Sequence, residues 1–130
     1  MRAVSWLATA ALATGIASTG WAAGAPPAAK ACFQLNRLQS TRSDGDRTVY
    51  ARVGTNEYYR IDLAFACPTL LSQNGIVIEP TGGTNLICGP LDFDLKAREI
   101  GGGRPVPCMV KSVTRLTPEE VAAIPRKAKP

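Results

Sequence analysis

Three sets of residues in this chain have the types and spacing to do chemistry: the pair Asp92 and Asp94, the tyrosine–arginine pairs Tyr50/Arg52 and Tyr58/Arg60, and the four cysteines Cys32, Cys67, Cys88 and Cys108. Two carboxylates two residues apart on a strand share a face and stand roughly 7 Å apart, close enough for acid–base work or for gripping a cation. That pattern would support a hydrolytic or cation-assisted enzyme. The competing reading is a solvated strand face, which Lys96 and Arg98 continue. Tyr50, Arg52, Tyr58 and Arg60 are the candidate ligand-binding residues. Facing guanidinium groups repel unless compensated, either by stacking on tyrosine and pairing with Asp62 or by an anionic ligand bridging them. Asp44-Gly45-Asp46 lacks the remaining ligands of a calcium loop and reads as a turn. Gly101-Gly102-Gly103 is not followed by the Gly-Lys-Ser/Thr of a phosphate loop and reads as another.

The chain has no histidine. Ser-His-Asp and Cys-His nucleophiles and His-ligated zinc or haem are therefore excluded. The cysteines are 35, 21 and 20 residues apart, without the close pairs of a four-cysteine zinc site. Two disulfides are the natural reading, and neither a metal nor a cofactor is expected. Three connectivities are possible. The reading favours Cys67 with Cys88, closing a local loop, and Cys32 with Cys108, tying the first strand to the last.

Arg2 and Lys30 are the only charges among the first thirty residues, and the stretch between them is rich in Ala, Leu, Thr and Gly. A charged start, a short apolar middle and small residues around Trp21 outline a secretory signal peptide over residues 1–22. The apolar middle is too short and too diluted to span a membrane. Lipidation at Cys32 fits poorly, because Lys30 stands where a small residue is wanted. Cleavage after Ala22 would leave 108 residues with a net charge of +4, against +5 for the 130-residue chain. Three of those positive charges, Arg126, Lys127 and Lys129, lie in the last five residues. The clustered charge of a nucleic-acid surface is missing from the body, so no specific nucleic-acid binding is expected. The protein is expected in the periplasm or outside the cell, with an anionic ligand or an envelope component as its partner.

The elements that must position these residues follow from periodicity. Residues 23–31, an Ala/Gly/Pro stretch, read as a disordered leader, and 32–125 as one domain. Residues 32–38 read as a short strand and 40–46 as a turn. Val49, Ala51 and Val53 alternate with polar residues, as do Tyr59, Ile61 and Leu63, which makes residues 46–63 a hairpin. Pairing Val53 with Tyr59, Ala51 with Ile61 and Val49 with Leu63 keeps both apolar sets on one face and sets Arg52 opposite Arg60. Residues 76–79 and 86–88 read as a second hairpin. Alternation from Leu91 to Arg98 predicts a strand, and 108–113 another with a phase slip near Ser112. Thr117-Pro118-Glu119-Glu120 is a helix start, with Pro125 as its stop and residues 126–130 as a basic tail trailing into solvent.

These elements make a mainly β fold (small α+β): a compact antiparallel barrel or sandwich of five to seven short strands, with one short C-terminal helix and disulfide staples. DRTVYARVGTNEYYRIDL followed by Cys67-Pro68, CGPLDFDLK from Cys88, PCMVK from Pro107 and LTPEEVAAIP from Leu116 resemble a family of small exported proteobacterial proteins known only as a domain of unknown function. The resemblance implies a shared fold and export, and carries no activity or site with it. The function expected is that of a non-enzymatic periplasmic or secreted binding or structural module. The alternative is the enzyme centred on Asp92 and Asp94.

Overall fold

A computed structural model describes residues 31–130. The expected signal peptide (1–22) and all of the expected leader except Ala31 lie outside the described residues. The strands are β1 (Phe33–Gln34), β2 (Leu38–Asp44), β3 (Thr48–Val53), β4 (Glu57–Leu63), β5 (Ile76–Pro80), β6 (Leu86–Ile87), β7 (Phe93–Ala97), β8 (Val106–Cys108) and β9 (Val110–Arg115). One α-helix, α1 (Pro118–Ala122), follows, and 3-10 turns occupy Leu35–Arg37, Pro68–Ser72 and Arg126–Ala128.

All pairings are antiparallel. The larger sheet has the order β2-β3-β4-β9, a second has β5-β7-β8, and β1 pairs with β6 alone. The alternation read from the sequence places Val49, Ala51, Val53, Tyr59, Ile61 and Leu63 on the buried face of the larger sheet. Phe93, Leu95 and Ala97 of β7 are buried in the same core, together with Phe33, Leu70 and Ile87. The fold is thus mainly β, a sandwich-like arrangement whose sheets do not close into a barrel. The two sheets share backbone: the chain runs from β8 through Met109 straight into β9, and the Ala64 N–H donates to the Met109 carbonyl at the crossing (2.8 Å). The phase slip expected near Ser112 is a bulge at Lys111, since Asp62 pairs with Ser112 but Leu63 with Val110.

Several expectations are corrected. The first hairpin pairs Val53 with Glu57, Ala51 with Tyr59 and Val49 with Ile61, two residues away from the expected register. Both registers bury the same side chains, so the apolar pattern does not separate them. The turn does, because Gly54 takes a positive φ of 58° and closes the hairpin with three residues. Residues 40–44, read as turn, belong to β2, whose outer-strand position tolerates Ser, Thr, Arg and Asp. The second hairpin does not form. Ile76–Pro80 pairs with Phe93–Ala97, which brings Ile76 and Ile78 against the core, and β6 goes to β1.

That last exchange also changes the disulfides. Pairing of β6 with β1 sets Cys88 beside Cys32, with a Cα–Cα distance of 4.1 Å, and β8 carries Cys108 to Cys67 at 5.7 Å. The bonds are therefore Cys32–Cys88 and Cys67–Cys108, not the expected Cys67–Cys88 and Cys32–Cys108, and no cysteine among the described residues is free.

At the C-terminus the helix start is the expected reciprocal cap: Thr117 Oγ1 accepts from the Glu120 N–H and Glu120 Oε2 accepts from the Thr117 N–H. Leu116, Ile124 and Ala128 form a second small core on the outer face of the larger sheet, against Tyr50, Tyr58 and Val121. The tail does not trail into solvent: Ala128 is fully buried while Arg126, Lys127 and Lys129 remain exposed around it.

Peptide mapping of the unreduced protein is expected to give the 32–88 and 67–108 linked pairs. With the partners 56 and 41 positions apart in sequence, replacing either pair by serine is expected to lower unfolding free energy by about 4 kcal/mol in chemical denaturation, through restored freedom of the unfolded chain.

Candidate functional site

The outer face of the larger sheet is built of rows. Ser40, Arg52 and Tyr58 stand side by side on β2, β3 and β4; Arg42, Tyr50 and Arg60 form the next row, and Asp44, Thr48 and Asp62 the third. The four residues expected to bind a ligand therefore share one face, but each arginine of the hairpin faces a tyrosine and not the other arginine. Arg52 is diagonal to both Arg42 and Arg60, a separation of about 7–8 Å between such neighbours. Three arginines are thus neighbours of Tyr50 in the strand register.

These arginines are not equally engaged. Arg60 Nε donates to Asp62 Oδ2 at 3.0 Å in a partly exposed pair, the structural compensation that the sequence allows for. Arg52 has no carboxylate partner among the described residues, and its buried Nε finds no hydrogen-bond acceptor there. Ser40 Oγ, directly across the strand pair, is likewise buried without a partner. Two adjacent unmatched polar groups are costly, of order 1–3 kcal/mol each, unless an oxygen-bearing ligand or water meets them. Ser40 and Arg42 were missed in the sequence because residues 40–46 look like a turn; the signal that was present is the alternation of Ser40, Arg42 and Asp44 with Thr41 and Ser43.

The C-terminal segment roofs part of this face. Burial raises the Tyr50 phenol above its ordinary value of 10.0, with Asp44 adding to the effect. Tyr59, in the main core, is raised by burial first and then by Glu57, whose Oε2 is 3.5 Å from its hydroxyl.

Asp92 and Asp94 do not converge. Asp92 precedes β7, and its Oδ2 accepts from the backbone N–H groups of Cys88 and Gly89, both at 2.8 Å, so that this carboxylate ties the turn next to a disulfide. Asp94 lies at the border of an apolar groove of about 510 Å³ lined by Leu91, Pro107 and Met109, which Asp92 does not line. Leu91, expected in the strand, lies before it and is 89% exposed. No group of three or more metal-ligating side chains occurs among the described residues. No helix among them is long and apolar enough to cross a membrane.

Two measurements follow. Asp92→Ala is expected to lower stability by about 1–3 kcal/mol, by leaving two backbone donors unmatched; thermal unfolding checks it. Because the folded pKa values of Tyr50 and Tyr59 are raised, the stability they contribute is whole below pH 10 and is lost as pH climbs through those folded values. Ultraviolet titration should show Tyr50 and Tyr59 ionising later in the folded protein than in denaturant.

No curated protein and no solved structure matches this chain. The model of a family of unknown function, DUF6491, matches residues 1–129, and the chain belongs to that family.

Proposed function

We propose that the protein is an exported, non-enzymatic binding module of the periplasm or extracellular space that takes an anionic ligand at Arg52. The observation that carries this reading is the unmatched pair of Arg52 Nε and Ser40 Oγ on neighbouring strands. A carboxylate or phosphate oxygen accepts from both kinds of donor, and charge-assisted bonds of this type are about twice as strong as neutral ones. Arg42 and Arg60 add positive charge on the same face, and Tyr50 and Tyr58 anchor the C-terminal segment that covers part of it. The N-terminal charge and apolar pattern supports export, and two disulfides fit an oxidising compartment. The rival enzyme at Asp92 and Asp94 has less support, because Asp92 is engaged with backbone and only Asp94 borders the groove.

Citrate and inorganic phosphate, compared with chloride at equal ionic strength, test the reading. At about ten times its dissociation constant the bound anion is expected to stabilise the protein by ~1.4 kcal/mol in thermal unfolding. Arg52→Gln should remove that shift and Arg126→Gln should keep it. A shift that survives Arg52→Gln, or no shift with either anion, overturns the reading.

A further inference from the structure

The shared strand β8–β9 joins the two sheets on one side only. On the other side each sheet ends in an unpaired strand: β2 terminates the larger sheet and β5 the smaller. The two ends meet across a cleft of about 280 Å³, lined by Ser40–Ser43 on one wall and by Gln73, Asn74, Gly75 and Ile76 on the other. Its closed end is made by Leu70, whose carbonyl accepts from the buried Ser43 Oγ at 3.0 Å. Among the described residues, no other backbone segment hydrogen-bonds to the outer edge of β2 over residues 38–44. Every second N–H and C=O along such an edge points outward and is available to a new strand. Gln73, the one non-glycine residue with positive φ among those described (50°), ends the 3-10 turn beside Leu70 and borders the same cleft.

Charge decides which strand would enter. Arg42 is the single ionisable residue lining the cleft, and Arg98 approaches its far wall behind Gly75. A second copy paired about Arg42 would set the two arginines opposite each other, and like charges on paired strands repel; only the register centred on Ser43 would set Arg42 against Asp44 instead. The irregular pairing between Leu38 and Ser40, together with Pro80 at the end of β5, is a further device that blunts open-ended pairing of identical edges. An extended segment with acidic side chains meets opposite charge and completes the backbone ladder.

We propose that the seam between β2 and β5 is a strand-acceptor site for an extended acidic segment of a partner protein. The backbone of that segment pairs with the open edges, and a carboxylate on it meets Arg42. Main-chain bonds supply affinity in such complexes and alternate side chains supply selectivity. This site shares Ser40 and Arg42 with the border of the Arg52 face, but its backbone pairing does not rest on the anion reading.

The test uses the full disulfide-bonded protein and three end-capped seven-residue peptides: alternating glutamate and valine, the same with lysine for glutamate, and the glutamate peptide N-methylated at alternate residues. Amide hydrogen exchange is read residue by residue. The glutamate peptide is expected to slow exchange about tenfold at outward-pointing amides within residues 40–43 and 76–78, and the N-methylated peptide to have no effect there. Arg42→Glu should transfer the preference to the lysine peptide, whereas Arg104→Gln, outside the cleft, should leave peptide binding unchanged. Equal protection by the N-methylated peptide, protection confined to the β8 edge, or protection by none of the peptides overturns the proposal. A dimer that protects residues 40–43 without peptide, detected by sedimentation, overturns it in favour of self-pairing.

Discussion

Met109 is where the backbone passes from one sheet to the other, and the rest of the molecule depends on that passage. Because β8 and β9 are consecutive, the two sheets are joined along one side, and Leu95 of β7 shares one core with Ile61 and Leu63 of β4. The same passage carries Cys108 to Cys67 and turns the Met109 carbonyl toward the Ala64 N–H. A strand that serves two sheets cannot slide in one without disturbing the other, so the bulge at Lys111 absorbs the mismatch locally. On the opposite side nothing equivalent among the described residues joins β2 to β5.

The parts of this fold that the sequence makes legible are those where one residue pattern has one physical solution. The alternations of β3 and β4 require a half-buried antiparallel pair, and Thr117 with Glu120 requires a helix start; both are present with the expected residues inside or bonded. Register is different, because a shift by two residues preserves every buried side chain, and only the three-residue closure at Gly54 distinguishes the alternatives. Strand β2 is hidden in composition, since Ser, Thr and Asp are also the residues of turns and an outer strand demands little burial. Long-range partners, such as β1 for β6 and β7 for β5, are absent from any local pattern. The disulfide pairing follows those partners and was misread with them.

The same reasoning separates the candidate sites. The Tyr50, Arg52, Tyr58 and Arg60 face was readable because alternation fixes which side chains lie together, whichever register holds. Its neighbours Ser40 and Arg42 were not, because they come from the strand that resembled a turn. Asp92 and Asp94 looked paired only under the assumption of a strand starting at Leu91; the strand starts at Phe93, and the two-residue delay turns one carboxylate into a backbone tie. The basic tail shows a related limit: a buried alanine between cations, Ala128, is too weak a signal to mark a docked segment.

The two disulfides interleave along the chain, first cysteine to third and second to fourth. Between Cys32 and Cys108 the cysteines mark off three intervals, and one proteolytic cut in each of any two of them leaves every fragment covalently joined. A nested pairing would release the central piece after cuts in the first and last intervals. Separation within that span takes a cut in all three, or two in the same interval, so a molecule nicked there keeps its strands at hand to reassociate, whereas a cut beyond Cys108 frees β9.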